Sequence, residues 1–354
     1  MIKTCLWGLL LFILPLHACA QSEAGSSPFA LDAGTLSELH AELTELARTD
    51  RFSGVVLLAR GEEVHFSHAY GDRDREEGVP VEPGTRFNIG SLGKSFTGVG
   101  ILRLLQDGRI SLDDPVGVYL PSLPENIGAH VTVAHLLQMR SGMGDYLTDP
   151  EFQANPERYV DTEALLELIV SRPLEFAPGS DTRYSNSGFV VLGAILEALE
   201  GRAYHDVMDT WIFTPLGMSD TGPEGPGTLG NTAFGYSAGP QGTDPLRRFP
   251  AAPATAAGGV YSTAFDLHRF VLALLSDDLL DPVHTDLFLN MYVPGADPSI
   301  REGTRYARAG GAPGVSAVTI GDPTALDVVV VLSNRSFAGG PVASALWNHR
   351  GRHQ

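Results

Sequence analysis

The sequence predicts an α+β fold, in which an antiparallel sheet is built from both ends of the chain and flanked by helices. Residues 53–70 and 315–332 each contain two short runs rich in β-branched residues around a Gly-containing turn, which is typical of a β-hairpin. The region from about 91 to 275 instead carries apolar residues at helical spacing. We therefore expect one sheet from about residues 50–90 and 305–350, with a mainly helical middle region.

The same periodicities predict the separate elements. Leucines at positions 36, 39, 43 and 46 predict an amphipathic helix over residues 36–47. The segment 219–254 is rich in Gly, Pro and Thr, which favours a long surface loop. A helix that begins at Lys94 should end at Gly108, since glycine readily adopts the left-handed conformation that follows many helices. The helices predicted in the rest of the chain cover residues 94–106, 133–139, 162–170, 188–199, 264–275 and 342–347.

Residues 1–20 have the pattern of a signal peptide. Lys3 precedes an almost unbroken apolar run over residues 5–16, and the small residues at 18–20 fit a signal peptidase site. We therefore expect a periplasmic or secreted protein. An alternative interpretation is a lipoprotein box that ends at Cys19, in which case lipidation of Cys19 would attach the protein to a membrane.

Composition limits the chemistry of the mature chain. We expect a flexible leader over residues 21–32 and a folded domain over residues 33–354. Cys5 and Cys19 are the only cysteines and both lie in the predicted signal peptide, which excludes disulfides and thiolate chemistry from the domain. The formal net charge of −18 argues against nucleic acid as a partner. The sequence contains no H-E-x-x-H or comparable ligand cluster, and we predict no metal and no other cofactor.

Ser91 and Lys94 form the candidate catalytic pair. Residues three apart share a helix face, so the lysine amine can take the proton that must leave the serine hydroxyl before it attacks. At a helix start, Ser91 also has backbone N–H groups and the positive end of the dipole nearby for an oxyanion. Lys3 and Lys94 are the only lysines among 24 Lys and Arg residues. A retained lysine suggests a role in which the cation must lose its proton, which arginine cannot do.

Two further motifs contain candidate site residues. In Tyr184-x-Asn186, the tyrosine hydroxyl suits proton transfer and the asparagine amide suits a substrate carbonyl. In Arg308-x-Gly310-Gly311, a cation precedes glycines that let a strand edge approach a substrate closely. Taken singly, each motif is also typical of a loop or a glycine-rich turn, so the order of the motifs along the chain carries the information.

Taken in order, the motifs resemble the serine β-lactamase and penicillin-binding protein family, in its branch of class C β-lactamases, D-alanyl-D-alanine carboxypeptidases and esterases. The resemblance covers about residues 35–348. It rests on colinear stretches that are very hard to obtain by chance. These are F-N-I-G-S at 87–91, K-S-F-T at 94–97, I-S-L-D-D-P-V at 110–116, H-L-L at 135–137, S-G-M at 141–143, F-T-P-L-G-M at 213–218 and G-G-V-Y-S-T at 258–263.

The resemblance implies a β-lactamase/transpeptidase-like fold and acyl transfer through a covalent acyl-enzyme. Ser91 would be the nucleophile, and either Lys94 or Tyr184 would be the base, a choice that the sequence leaves open. The implied substrate-binding residues are Asn186, Arg308 and Gly310, and the implied oxyanion hole consists of the backbone N–H groups of Ser91 and Gly311.

Two departures from the family pattern bear on the substrate. Arg308 stands where the family has lysine or histidine; it can hold a carboxylate but cannot exchange a proton with Tyr184. The stretch 287–306 is shorter than usual and lacks a Y-G-L-G strand, which predicts a narrower sheet and a more open cleft. We therefore expect an exported hydrolase of an ester, amide or D-amino-acid peptide, with weak or absent β-lactam hydrolysis. Its partner would be a small-molecule or peptidoglycan-like acyl substrate.

Two alternative functions stay open at this point. The residues around Ser237 fit the G-x-S-x-G motif of α/β-hydrolases, which requires a strand before the serine and a helix after it. The other alternative is a penicillin-binding-like envelope protein with impaired catalysis that binds peptidoglycan or a partner. Arg308 is the observation that favours it.

Overall fold

The computed structural model describes residues 33–238, 246–249, 253–291 and 305–349. The predicted signal peptide, the leader and Cys19 lie outside these residues. The α-helices of the described part are α1 (Ala33–Arg48), α2 (Lys94–Gln106), α3 (Glu125–Gly128), α4 (Val133–Leu137), α5 (Pro150–Ala154), α6 (Thr162–Val170), α7 (Asn186–Glu200), α8 (Tyr204–Met208), α9 (Ala264–Leu275), α10 (Pro282–Asn290) and α11 (Gly339–His349). The strands are β1 (Gly54–Arg60), β2 (Glu63–Tyr70), β3 (Asp72–Asp74), β4 (Val79–Pro80), β5 (Phe87–Asn88), β6 (Gly235–Ser237), β7 (Arg247–Phe249), β8 (Tyr261–Ser262), β9 (Tyr306–Ala312), β10 (Val315–Asp322) and β11 (Asp327–Ser333).

The central sheet has five antiparallel strands in the order β2-β1-β11-β10-β9. β1 pairs with β11 from Gly54 opposite Ser333 to Arg60 opposite Asp327, so the sheet joins the two ends of the chain. This topology confirms the predicted α+β fold and the two terminal hairpins. Most of the stretch on which the predicted narrow edge depends, residues 292–304, lies outside the described part; among the described strands, β9 forms that edge of the sheet.

Several elements differ from the sequence prediction. Residues 72–88 were expected in the central sheet, but β3 pairs with β4 and β5 pairs with β8, so they form separate small sheets. α7 begins at Asn186, two residues earlier than predicted, because the Ser185 hydroxyl accepts the Gly188 N–H and caps the helix there. α10 extends the helical content beyond residue 275, and the predicted loop at 219–254 contains the short pair β6 and β7.

Both faces of the central sheet are covered, which explains why β1 is an almost continuous apolar run rather than an alternating one. On one face, Leu57 belongs to the same core as Phe96 of α2. On the other face, Val56 packs in a core with Leu43 of α1 and Leu346 of α11. Each fully buried leucine or phenylalanine contributes about 1.5–3 kcal/mol relative to an exposed one. The first core therefore holds the start of α2 firmly beside the sheet.

In the part of the chain that the structure describes, no helix combines the length and the apolarity needed to cross a membrane.

Candidate active site

Ser91 lies in a single 3-10 turn, Gly90–Gly93, that runs directly into α2. The chain enters this turn from β5, and the Ile89 N–H donates to the Val260 carbonyl at 2.9 Å. Gly90 has a φ of +52°, a left-handed conformation that side chains disfavour. The sharp change from strand to helix places the partly exposed Ser91 side chain at the start of α2.

Lys94 is the centre of the hydrogen-bonded cluster around Ser91. Its side chain is 5% exposed. Its Nζ lies 3.2 Å from Ser91 Oγ, 2.7 Å from the Tyr184 hydroxyl, 2.6 Å from Asn186 Oδ1 and 2.6 Å from the Ala257 carbonyl oxygen. The Ser91 and Tyr184 hydroxyl oxygens are 2.5 Å apart. The structure thus brings together the predicted nucleophile and both candidate bases considered from the sequence.

Burial shifts the protonation equilibria of the two candidate bases in opposite directions. It lowers the pKa of Lys94 to about 7, although the nearby Asp145 carboxylate acts to raise it. Burial also raises the pKa of Tyr184 well above its ordinary value, an effect that the hydrogen bond with Ser91 reduces. Near neutral pH the lysine is therefore partly neutral, while the tyrosine keeps its proton.

The Y-S-N motif holds its two candidate site residues, Tyr184 and Asn186, at the start of α7. The Ser185 hydroxyl donates to the Gly144 carbonyl at 3.0 Å and accepts the Gly188 N–H at 3.1 Å. Asn186 is the first residue of the helix and is 5% exposed. This double anchoring of Ser185 fixes its neighbours Tyr184 and Asn186 against Lys94.

Asp145 is a member of the site that the sequence interpretation missed. Its Oδ2 accepts a hydrogen bond from Asn186 Nδ2 at 2.8 Å, and its Oδ1 accepts the Leu147 N–H at 3.0 Å. Burial raises the pKa of Asp145, while these N–H donors and the charge of Lys94 act to lower it. The only sequence signal was its position two residues after the S-G-M stretch, which does not reveal a contact with a residue 41 positions later.

Gly310 and Gly311 let β9 lie directly against the turn that carries Ser91. A Cβ added at Gly310 would lie 1.8 Å from the Ile89 carbonyl oxygen and 2.8 Å from the Leu92 nitrogen. A Cβ added at Gly90 would lie 3.1 Å from the Gly311 nitrogen. The Gly311 nitrogen therefore lies beside the turn that carries Ser91, and its place in an oxyanion hole stays a prediction.

Arg308 does not join the cluster around Ser91 in the part of the chain that the structure describes. Its guanidinium donates to the Phe288 carbonyl oxygen at 3.2 Å and lies 5.4 Å from the ring centroids of Phe288 and Tyr306. Phe288 is close to the C-terminal end of α10, where a cation is favoured by the helix dipole. Among the described residues, the guanidinium of Arg308 therefore contacts α10, a helix that was not predicted, and a role of Arg308 in substrate binding stays a prediction.

Ser237 does not form a nucleophile elbow. It lies in β6, opposite Arg247 of β7, and is 8% exposed. The α/β-hydrolase motif needs its serine on a sharp turn between a strand and a helix. The alternative interpretation of G-x-S-x-G is therefore wrong.

Among the residues that the structure describes, no group of three or more His, Cys, Asp or Glu side chains is arranged to hold a metal ion.

A serine, a buried lysine and a tyrosine that share hydrogen bonds beside a glycine-rich sheet edge are the features expected of an acyl-enzyme-forming serine hydrolase. Comparison with known proteins agrees with this class. The β-lactamase family model matches residues 39–352, and the chain belongs to the β-lactamase family.

Individual relatives within this family have different names. Esterase EstB of Burkholderia gladioli is 34% identical over 209 residues, which cover 55% of this chain and 53% of EstB. Penicillin-binding protein 4* of Bacillus subtilis (strain 168) is 32% identical over 178 residues, which cover 50% of this chain and 39% of that protein. This chain therefore spans about half or less of the length of these two curated relatives. A crystal structure of a penicillin-binding protein from Bacillus halodurans superposes with a TM-score of 0.76 at 28% identity, over 88% of this chain and 98% of that one.

Proposed function

We propose that this protein is an exported serine hydrolase that cleaves an ester, an amide or a D-amino-acid peptide through an acyl-enzyme on Ser91. The observation that carries the proposal is the contact of Ser91 and Tyr184 with a buried Lys94 whose pKa is lowered to about 7. The esterase and the penicillin-binding proteins among the relatives support the same reaction class.

In the acylation step, Ser91 Oγ forms a bond to the substrate carbonyl carbon, and the carbonyl electron pair moves to oxygen. The backbone N–H groups of Ser91 and Gly311 stabilise this oxyanion. The serine proton passes to the Tyr184 oxygen while the tyrosine proton passes to Lys94 Nζ. We favour this relay because the tyrosine is 2.5 Å from Ser91 Oγ, against 3.2 Å for the lysine, and because its raised pKa prevents it from acting as a stored tyrosinate.

Collapse of the tetrahedral intermediate breaks the bond to the leaving group, which takes the proton from Lys94 through Tyr184. Water then attacks the acyl-enzyme, and the same relay removes its proton and returns one to Ser91 Oγ. The protons balance over the cycle, and Lys94 returns to its neutral form.

The surroundings of the site favour an ester or amide that lacks a carboxylate next to the scissile bond. Arg308, which the family pattern would use to hold such a carboxylate, is directed to α10. Phe337 lies near Gly311: its ring would be 3.9 Å from a Cβ added at that glycine. Phe337 is 71% exposed and has a φ of +60°. An exposed aromatic ring beside β9, the strand that carries Gly311, suits a substrate with an apolar substituent. β-Lactams and peptides that end in a D-amino acid with a free carboxylate would be poorer substrates than esters and amides.

Export is part of the same proposal. The pattern of residues 1–20 supports it, and Cys19 remains the residue at which lipidation would attach the protein to a membrane. We propose a small-molecule or peptidoglycan-like acyl substrate outside the cytoplasm.

The reaction is tested by labelling the protein with a fluorophosphonate and by measuring hydrolysis of a p-nitrophenyl ester, a D-amino-acid amide, a D-alanyl-D-alanine peptide and nitrocefin. The Ser91→Ala variant should lose labelling and at least about 10³-fold in kcat/KM, as expected for a nucleophile. Ser237→Ala is the matched control and should keep both. Labelling retained in Ser91→Ala would contradict the proposal. A wild-type protein that is neither labelled nor active would support an envelope binding protein instead.

A further inference from the structure

We propose that Asp145 is a positioning residue that orients the side-chain amide of Asn186. The oriented amide in turn keeps the lone pair of neutral Lys94 Nζ pointed at the hydroxyl groups of Ser91 and Tyr184. The inference rests on the proposed function, since it concerns the same site. It extends the site to a residue outside the three sequence motifs.

The hydrogen bond to Asp145 determines which way the Asn186 amide points. An ionised carboxylate can only accept hydrogen bonds, so the amide group that faces Asp145 must be the NH2 group, at 2.8 Å. The amide oxygen must then face Lys94, at 2.6 Å from Nζ. Without a carboxylate at position 145, the amide would be free to rotate and present N–H groups to the lysine.

The number of protons on Lys94 shows why this orientation matters. Asn186 Oδ1 and the Ala257 carbonyl can only accept, so they occupy two N–H groups of the amine in either protonation state. Besides its bond to Cε and these two N–H groups, Nζ has one further tetrahedral position. A third proton occupies it in the ammonium form and a lone pair occupies it in the neutral amine. This position is left for Ser91 Oγ and the Tyr184 hydroxyl, at 3.2 and 2.7 Å. Asp145 therefore acts on catalysis by setting the direction in which the lone pair of Lys94 Nζ points.

Asp145 also balances the charge of the buried ammonium. Among the described residues, the titratable groups around the cluster are Asp145 and Tyr146, which follow α4 in the chain, and Tyr184, which precedes α7. α7 otherwise presents the Asn186 amide and the Phe189 ring, which lies 5.5 Å from Nζ, and the segment after β7 presents the Ala257 carbonyl. Asp145 is the carboxylate that favours the charged lysine against the effect of burial. Its removal should make Lys94 lose its proton at lower pH.

Asp149 provides a matched control. Asp145 and Asp149 line the same cleft of about 350 Å³ behind the start of α7. Asp149, however, pairs with Arg172 at 2.7 Å and caps α5. A substitution there changes the charge of the cleft without removing the bond to Asn186.

The experiment measures kcat/KM between pH 5 and 9 with a p-nitrophenyl ester, for the wild-type chain and for Asp145→Asn, Asp145→Glu, Asp145→Ser and Asp149→Asn. We expect Asp145→Asn to lower the plateau by about 10- to 100-fold, the loss for a hydrogen bond to a charged group. It should also move the midpoint of the acid limb to lower pH. Asp145→Ser should show the same direction of shift, whereas Asp145→Glu and Asp149→Asn should keep the wild-type midpoint.

The outcomes separate this inference from the proposed function. An active wild type, whose labelling depends on Ser91, together with an unshifted midpoint in both Asp145→Asn and Asp145→Ser would overturn the role of Asp145 and leave the hydrolase intact. The same shift in Asp149→Asn would also overturn it, because a general charge effect would then suffice. A wild type without Ser91-dependent labelling or turnover would remove the proposed function itself. If Asp145→Asn is poorly folded by circular dichroism, the Asp145→Ser and Asp145→Glu profiles decide.

Discussion

Lys94 shows how a single residue connects composition with chemistry. It is one of two lysines in a chain that otherwise uses arginine for its positive charges, and it is 5% exposed beside Ser91 and Tyr184. A buried amine can lose its proton near neutral pH, whereas a guanidinium at the same place would stay charged. The cluster therefore gives a physical reason why a lysine rather than an arginine stands at position 94.

Replacing Lys94 by arginine tests this reason directly. The positive charge and several donors are kept, but the group can no longer accept the serine proton, so we expect kcat/KM on a p-nitrophenyl ester to fall by about 10²- to 10⁴-fold. Arg103→Lys, a change of the same kind in reverse on α2, should leave kcat/KM near the wild-type value. A correctly folded Lys94→Arg protein with almost full activity would mean that Lys94 is not the proton acceptor.

Asp145 and Arg308 are single residues whose contacts cannot be predicted from sequence motifs. Both residues are plain in the sequence, but neither has a local pattern that reveals its partner. Asp145 bonds Asn186 across 41 positions, and Arg308 bonds the carbonyl of a residue in α10. Side-chain direction at such positions depends on which distant segment packs alongside.

At the scale of elements, the contact between β9 and the Ser91 turn sets the width of the site. Two backbones approach so closely at Gly310 that a single added carbon would collide with both Ile89 and Leu92. From the sequence we predicted that Gly310 lets the strand approach a substrate closely. The structure shows that the same glycine lets β9 approach the turn that carries Ser91.

Gly310→Ala tests this contact. The added Cβ would lie 1.8 Å from the Ile89 carbonyl oxygen, so β9 or the turn must move by about 1 Å or more. We expect kcat/KM to fall by about 100-fold, because misplacement of that size has this effect in active sites. The free energy of unfolding should fall by about 1–3 kcal/mol, as measured by urea denaturation. Gly340→Ala, where an added Cβ meets nothing within 4 Å, should leave the activity unchanged. Wild-type activity in Gly310→Ala would show that β9 can be displaced from the Ser91 turn without loss of activity, which would contradict this prediction.

At the scale of the whole molecule, burying Lys94 couples stability to pH. The lysine has a pKa of about 10.4 in an unfolded chain and of about 7 in the folded protein. Between these values the unfolded chain binds more protons, so this group makes the free energy of unfolding rise with pH. The free-energy cost of burying the charged lysine is therefore fully present below about pH 7. It decreases as the pH rises and disappears at about pH 10.4.

Lys94→Met should remove this dependence. We expect the difference in free energy of unfolding, variant minus wild type, to be most positive near pH 6 and to decrease up to pH 10. Its slope should not exceed about 1.4 kcal/mol per pH unit, the value for one proton. Urea denaturation at pH 6, 8 and 10 measures it. A constant difference over this range would show that Lys94 keeps an ordinary pKa in the folded chain.

The sequence by itself determined the two terminal hairpins, the helices from α2 to α9 that show clear apolar periodicity, and the spacing that puts Ser91 and Lys94 side by side. These features depend on local geometry, in which residues a few positions apart lie on one face. Only the tertiary structure decided that Asp145 orients Asn186, that Arg308 turns to α10 and that Gly310 admits β9 to the Ser91 turn. Each of these contacts joins segments that are far apart in the chain, so it exists only after tertiary folding has packed those segments side by side.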